Sequence, residues 1–112
     1  MTPGESLVHG LVAAALLGLA AASPAFAGDA QAGRTKARTC IPCHGANGIA
    51  TNPGAPHLAA QPHVYLAEQL RNFRSGKRTD PVMTVIAKPL TDDDIDDLAS
   101  WYSSVSIEAK TP

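Results

Sequence analysis

Five consecutive residues, Cys40-Ile41-Pro42-Cys43-His44, combine two thiols and an imidazole at a spacing that suits one flat ligand. Two intervening residues put the sulfurs about one helical turn apart, within reach of the two vinyl groups of a single porphyrin. The next residue then lies beneath the ring and offers a nitrogen to iron, and Cys-x-x-Cys-His is the attachment signature of c-type haem. The chain has 2 cysteines, both in this motif, so no disulfide framework competes for them.

Two other chemistries use the same residue types. A thiol redox pair normally accompanies a βαβ pattern, and no run of β-branched residues here would build that sheet. A zinc site needs four ligands, usually as two separated pairs. Cys40, Cys43 and His44 with His57 or His63 would reach that number, but the second pair is missing. Haem attachment outweighs both.

The segments that must position this motif begin after an apolar leader. Residues 11–22 read LVAAALLGLAAA without a charge, followed by Ser23-Pro24 and the small-residue box Ala25-Phe26-Ala27. Such a run ending in A-x-A is a secretory signal with cleavage expected after Ala27. It departs from the pattern in having no Lys or Arg before the apolar run. The alternative is an uncleaved anchor facing the periplasm, since residues 7–26 approach the roughly 20 needed to span a bilayer.

Residues 28–112 then form one small domain. The whole chain holds 9 Lys and Arg against 10 Asp and Glu, and Glu5 is the only one of these before residue 28. The domain is close to neutral, which gives nucleic acid no basic surface to bind. Its aromatic residues are Tyr65, Phe73, Trp101 and Tyr102. Chains this short often need a cofactor to complete a core, so the haem-free protein is expected to be largely unfolded.

Three helices are legible. The first opens at the cap Asp29 and runs through Ala37 into the motif. Gly33 inside it costs about 1 kcal/mol relative to alanine, which calls for a reason such as close approach of another backbone. The second starts near Pro62 and ends at Gly76, with Leu66, Leu70 and Phe73 on one face. The third starts with Thr91 as cap and Asp94 three positions on, and Ile95, Leu98, Ala99 and Tyr102 mark its buried stripe. Two Gly- and Pro-rich loops, residues 45–61 and 77–90, separate the helices, and loops of that length in compact domains usually carry function.

The second iron ligand decides what such a domain does. Beyond the leader Met83 is the one methionine, and it lies in the loop strip Asp80-Pro81-Val82-Met83. His57 and His63 compete with it, and Lys77 and Lys88 do so more weakly. Filling a gap in the core is the alternative use of Met83.

Taken together, Gly-Asp-Ala-x-Ala-Gly, Cys-x-x-Cys-His-Gly, Gly48, Pro56-x-Leu58-Ala-x-Gln61, Tyr65-Leu66-x-x-Gln69-Leu70-x-x-Phe73-Arg74-x-Gly76-x-Arg78, Pro81-x-Met83 and Leu90-Thr-Asp-x-Asp-Ile form one ordered set. With the aromatic pair of the last helix, this resembles the small class I bacterial c-type cytochromes, close to one half of the dihaem cytochrome c4 type and to single-haem c553-like proteins. The resemblance implies an all-α class I fold, three main helices and long loops around one covalent haem c. It implies Cys40 and Cys43 as thioether positions, His44 as proximal ligand and Met83 as the opposite ligand. It places the Pro56 carbonyl on the second ring nitrogen of His44, and Gly33 where the first helix crosses the last, against Leu98 and the Trp101-Tyr102 region. Arg71, Arg74 and Arg78 are expected near the propionates or in solvent, with solvent favoured for most of them. The acidic run from Asp92 to Asp97 reads as capping and a wet helix face.

The implied function is a periplasmic single-electron carrier, not an enzyme, monomeric and peripheral to membrane complexes. It would dock weakly with redox partners, respiratory or oxidising-enzyme complexes by analogy. Two rival readings are a haem c subunit of a periplasmic dehydrogenase complex and a gas-binding haem protein with an open sixth site.

Overall fold

A computed structural model describes residues 27–112, together with positions 15, 18, 20 and 21. The expected leader, its cleavage and its retention as an anchor therefore lie almost wholly outside the described residues. Among those residues all regular structure is helical, and no helix is long and apolar enough to cross a membrane. The order is α1 (Ala30–Lys36), a single 3₁₀ turn (Ala37–Thr39), α2 (Ile41–His44), α3 (His63–Ser75), α4 (Met83–Ala87) and α5 (Asp92–Ser104).

Capping chemistry sets most boundaries. Asp29 accepts from the backbone N–H of Gln31 at 2.7 Å and of Ala32 at 3.0 Å. Thr91 and Asp94 form a reciprocal capping box at the start of α5. Gly76 closes α3 with φ 84°, a left-handed conformation that glycine adopts without steric cost. Pro62 sits one position before α3, as its cap, rather than within the first turn. The first helix is not continuous into the motif: it tightens into the 3₁₀ turn and restarts at Ile41, with Pro42 in the first turn of α2, where its missing N–H costs nothing.

The core is the crossing of α1 and α3 over α5. Ile95, Leu98, Ala99 and Tyr102 of α5 are buried with Ala37, Leu66 and Ala67, and Leu70 packs against them. Gly33 makes the α1–α5 crossing possible. A Cβ there would overlap the Asp97 backbone carbonyl and press on Trp101 Cβ. The nearest contacts at the crossing are Asp97 and Trp101, the latter as expected. The backbone N–H of Asp29 donates to Asp97 Oδ1 at 2.7 Å, and Lys36 Nζ meets Asp97 Oδ2 at 2.7 Å and Asp94 Oδ1 at 2.8 Å.

The acidic run does more than cap a wet face. Besides the two carboxylates on Lys36, Asp96 pairs with Arg71 at 2.8 Å and Asp92 with Arg74 at 2.6 Å. Arg74 also donates to the Leu90 carbonyl. These contacts stitch α5 to α1 and α3, and Arg71 and Arg74 pair with carboxylates at the surface, their side chains staying 41% and 29% exposed.

Candidate haem site

The motif is presented by α2 and the turn before it. Cys40 N–H donates to the Ala37 carbonyl at 2.8 Å, and His44 N–H to the Cys40 carbonyl at 2.8 Å. Gly45 then leaves the helix at φ 77°, where a Cβ would strike the Ile49 carbonyl. Cys40 and Cys43 are both half-buried and free, not joined to each other.

His44 is buried, and its Nδ1 lies 2.9 Å from the Pro56 carbonyl oxygen. A carbonyl can only accept, so this contact places the ring proton on Nδ1 and leaves the Nε2 lone pair available. Pro56 is delivered by the 45–61 loop, which is well tied although it has no regular structure. Thr51 and Asn52 N–H both reach the Cys43 carbonyl at 3.2 Å, and Leu58 N–H reaches the Gly48 carbonyl at 2.7 Å. His57 belongs to this scaffold: its Nδ1 accepts from Ala50 N–H at 2.8 Å.

A cleft of about 500 Å³ opens where α2, this loop, α3, α4 and α5 meet. Cys40, Cys43, His44 and Met83 all line it, with walls that include Leu58, Leu66, Leu70, Phe73 and Ile86. Two thiols, an imidazole with a free Nε2 and a thioether on one apolar cleft make a donor set that fits an iron porphyrin. Of the competing ligands His57 reaches the cleft, engaged as described, whereas His63, Lys77 and Lys88 do not line it. His63 is instead buried at the start of α3, with Nε2 2.9 Å from the Ala27 carbonyl and 3.3 Å from that of Asp96.

The two rival chemistries of the motif find less support. Burial pushes the Cys40 thiol up, the reverse of what a reactive redox thiol requires. Among the described residues no three His, Cys, Asp or Glu side chains converge as a metal-binding group. Burial also raises the Tyr102 hydroxyl, next to Cys40.

Sequence reasoning missed the roles of Asp80 and of the wall residue Gln69, whereas Arg78, expected near the propionates or in solvent, is at the cleft. Arg78 lines the cleft, with its guanidinium 4.5 Å above the Phe73 ring and a 2.8 Å bond to Gln69 Oε1. Asp80 accepts from the backbone N–H of Val82 and of Met83, and these bonds hold its carboxyl below the usual carboxylate range. An Asp-Pro pair directly before Val82-Met83 was the available signal for it, since Asp side chains bond the backbone two residues on.

The family model described as Cytochrome c matches residues 30–106. This chain belongs to the cytochrome c family. Its cofactor is accordingly haem c, attached covalently at the Cys-x-x-Cys-His site. Cytochrome c4 of Pseudomonas aeruginosa is 43% identical over 98 residues, covering 88% of this chain and 47% of that protein. Cytochrome c-554(548) of Halomonas halodenitrificans is 42% identical, covering 70% of this chain and 98% of its own length. A thiosulfate dehydrogenase electron acceptor of Thiomonas intermedia is 46% identical, covering 67% of this chain and 35% of that protein. The crystal structure of reduced recombinant cytochrome c4 from Pseudomonas stutzeri superposes with a TM-score of 0.68 at 37% identity, covering 71% of this chain and 47% of that one. The all-α class I cytochrome c fold expected from sequence is thus the fold found. The chain spans about half the length of the cytochromes c4 that it matches.

Proposed function

We propose that this cytochrome c domain is a periplasmic single-electron carrier, in which Cys40 and Cys43 would anchor haem by thioethers and His44 Nε2 and Met83 Sδ would hold its iron. The observation that carries this reading is the shared cleft: His44 has its Nδ1 spent on Pro56, and Met83 is the thioether on the same walls. When bound, haem supplies a one-electron ferric–ferrous couple. The chain's own residues do the rest. The Pro56 carbonyl fixes the imidazole plane and strengthens its donor nitrogen. Leu66, Leu70 and Phe73 exclude water, and a thioether ligand in such surroundings favours the reduced form, which raises the potential. Tyr65 and Val82 line the cleft yet stay 46% and 57% exposed, so the site lies close enough to the surface for electrons to leave without ligand release.

Partners dock transiently, through an interface below about 1,200 Å², and the domain acts as a monomer peripheral to membrane complexes. Replacement of Met83 by Ala is the direct test. The variant should bind carbon monoxide readily when reduced, lose the weak far-red band of thioether ligation and show a lower potential. If all three stay unchanged, Met83 is not the ligand.

A second reading is supported by the relative named as an electron acceptor of thiosulfate dehydrogenase. In it the domain serves one dehydrogenase as its dedicated acceptor. Co-purification with a single oxidoreductase, and reduction by that enzyme far faster than by others, would favour it.

A further inference from the structure

The strip that carries Met83 is folded back on itself by one side chain. Asp80 Oδ1 accepts from Val82 N–H and from Met83 N–H, each at 2.8 Å. In return Asp80 N–H donates to Thr84 Oγ1 at 2.9 Å, and Thr84 N–H to the Asp80 carbonyl at 3.1 Å. Pro81, between them, has a fixed φ and no N–H to divert the turn. Met83 is the first residue of α4, a helix of only 5 residues, which has no stability of its own in water. These four bonds hold the turn that leads into it, whose cap position, Val82, has no side-chain cap of its own. The turn that sets the Met83 backbone is therefore held by a carboxylate of its own strip, beside the packing of Ile86 and Ala87.

We infer that Asp80 is a positioning residue for Met83, holding its backbone in the turn that keeps the thioether at the cleft whether or not an iron bond forms. The inference rests on the proposed ligation by Met83. Without the carboxylate, the N–H groups of Val82 and Met83 lose their acceptor, and the strip swings out more often. An external ligand can enter only in that open state, so its apparent affinity rises in proportion to the open population. Asparagine keeps an acceptor oxygen in the same place and should restore the turn, because Asn and Asp cap about equally well.

The test is imidazole titration of oxidised, haem-loaded protein, followed by absorption. Asp80→Ala should raise apparent imidazole affinity about fivefold, the factor carried by one lost hydrogen bond. Asp80→Asn should stay within about twofold of the unaltered protein by the same principle. Thr84→Val should raise the affinity by a smaller factor than Asp80→Ala. In a Met83→Ala background the site is already open, and adding Asp80→Ala should change nothing. Unchanged imidazole affinity in Asp80→Ala, with tight binding in Met83→Ala, overturns the positioning role while leaving the ligand assignment intact. So does an Asp80→Ala effect that persists in the Met83→Ala background. Unchanged affinity in Met83→Ala defeats the ligand assignment itself. If Asp80→Ala fails to load haem, Thr84→Val decides: a rise supports the inference and no rise refutes it. A role confined to overall stability would lower the midpoint of helix loss and leave imidazole affinity where it was.

Discussion

Gly33→Ala should destabilise this domain although it improves helix propensity. Alanine in place of a helical glycine contributes about 1 kcal/mol of stability by itself. Against that gain stands the α1–α5 crossing, where the new methyl would overlap the Asp97 carbonyl and crowd Trp101 Cβ. Backbone cannot rotate away as a flexible side chain can, so α1 must lift. Overpacking of this kind costs about 1–3 kcal/mol. Lifting α1 also stretches the exposed Asp29–Asp97 and Lys36–Asp97 bonds, both 2.7 Å long, and a backbone obstacle puts the overpacking cost at the upper end of that range. The net loss is about 2 kcal/mol, which in a domain of this size lowers Tm by roughly 8–16 °C. Thermal unfolding of the haem-loaded protein, followed by helical circular dichroism, measures it. Gly76→Ala is the control, since nothing lies within 4 Å of a Cβ there and only the left-handed backbone costs about 1 kcal/mol. An unchanged or higher Tm for Gly33→Ala would refute the steric account of the crossing.

Two further outcomes follow from the charges and from the cleft. Lys36 pulls the Asp94 carboxyl down to about 2, from an ordinary value of 3.8, and Asp97 and Asp92 are lowered by Lys36 and Arg74. A carboxyl lowered on folding contributes stability that is present above its unfolded pKa and lost as pH falls through the folded one. Denaturant midpoints should therefore drop between pH 4 and pH 2, and Asp94→Asn should flatten that slope; an equal slope in the variant would count against the pairing. Haem-free protein, made by replacing Cys40 and Cys43 with Ala, should lack tertiary circular dichroism and melt without a sharp transition, because the apolar cleft has then lost its filling. A cooperative, native-like melt would show that the side chains suffice.

Much of the site is local, and local features are readable from the sequence. The thiols and imidazole of the motif sit within one helical turn, so spacing alone brings them together. The caps at Asp29 and Thr91 and the stop at Gly76 depend on neighbours two to four residues away, and the buried stripe of α5 emerged as the sequence pattern implied. The strip at Met83 reads as plain loop because five residues carry too little periodicity to announce a helix, and the Asp80 bonds that lead into it are side chain to backbone. The ion pairs of Arg71 and Arg74 are not legible in the sequence for a related reason: a charge pattern on one helix does not say which cation on another element will meet it.

Taken alone, the amino-acid order determined the cofactor, the helical class and the identity of the candidate ligands, since each follows from residue type or from contacts within one turn. Only the folded chain decided which candidates share a cleft, which nitrogen of His44 is spent on Pro56, and which charges are neutralised across α1, α3 and α5. Those outcomes depend on residues far apart in sequence coming within hydrogen-bonding distance, and that proximity is set by how the helices cross at Gly33 and pack around Ile95, not by any stretch of chain considered by itself.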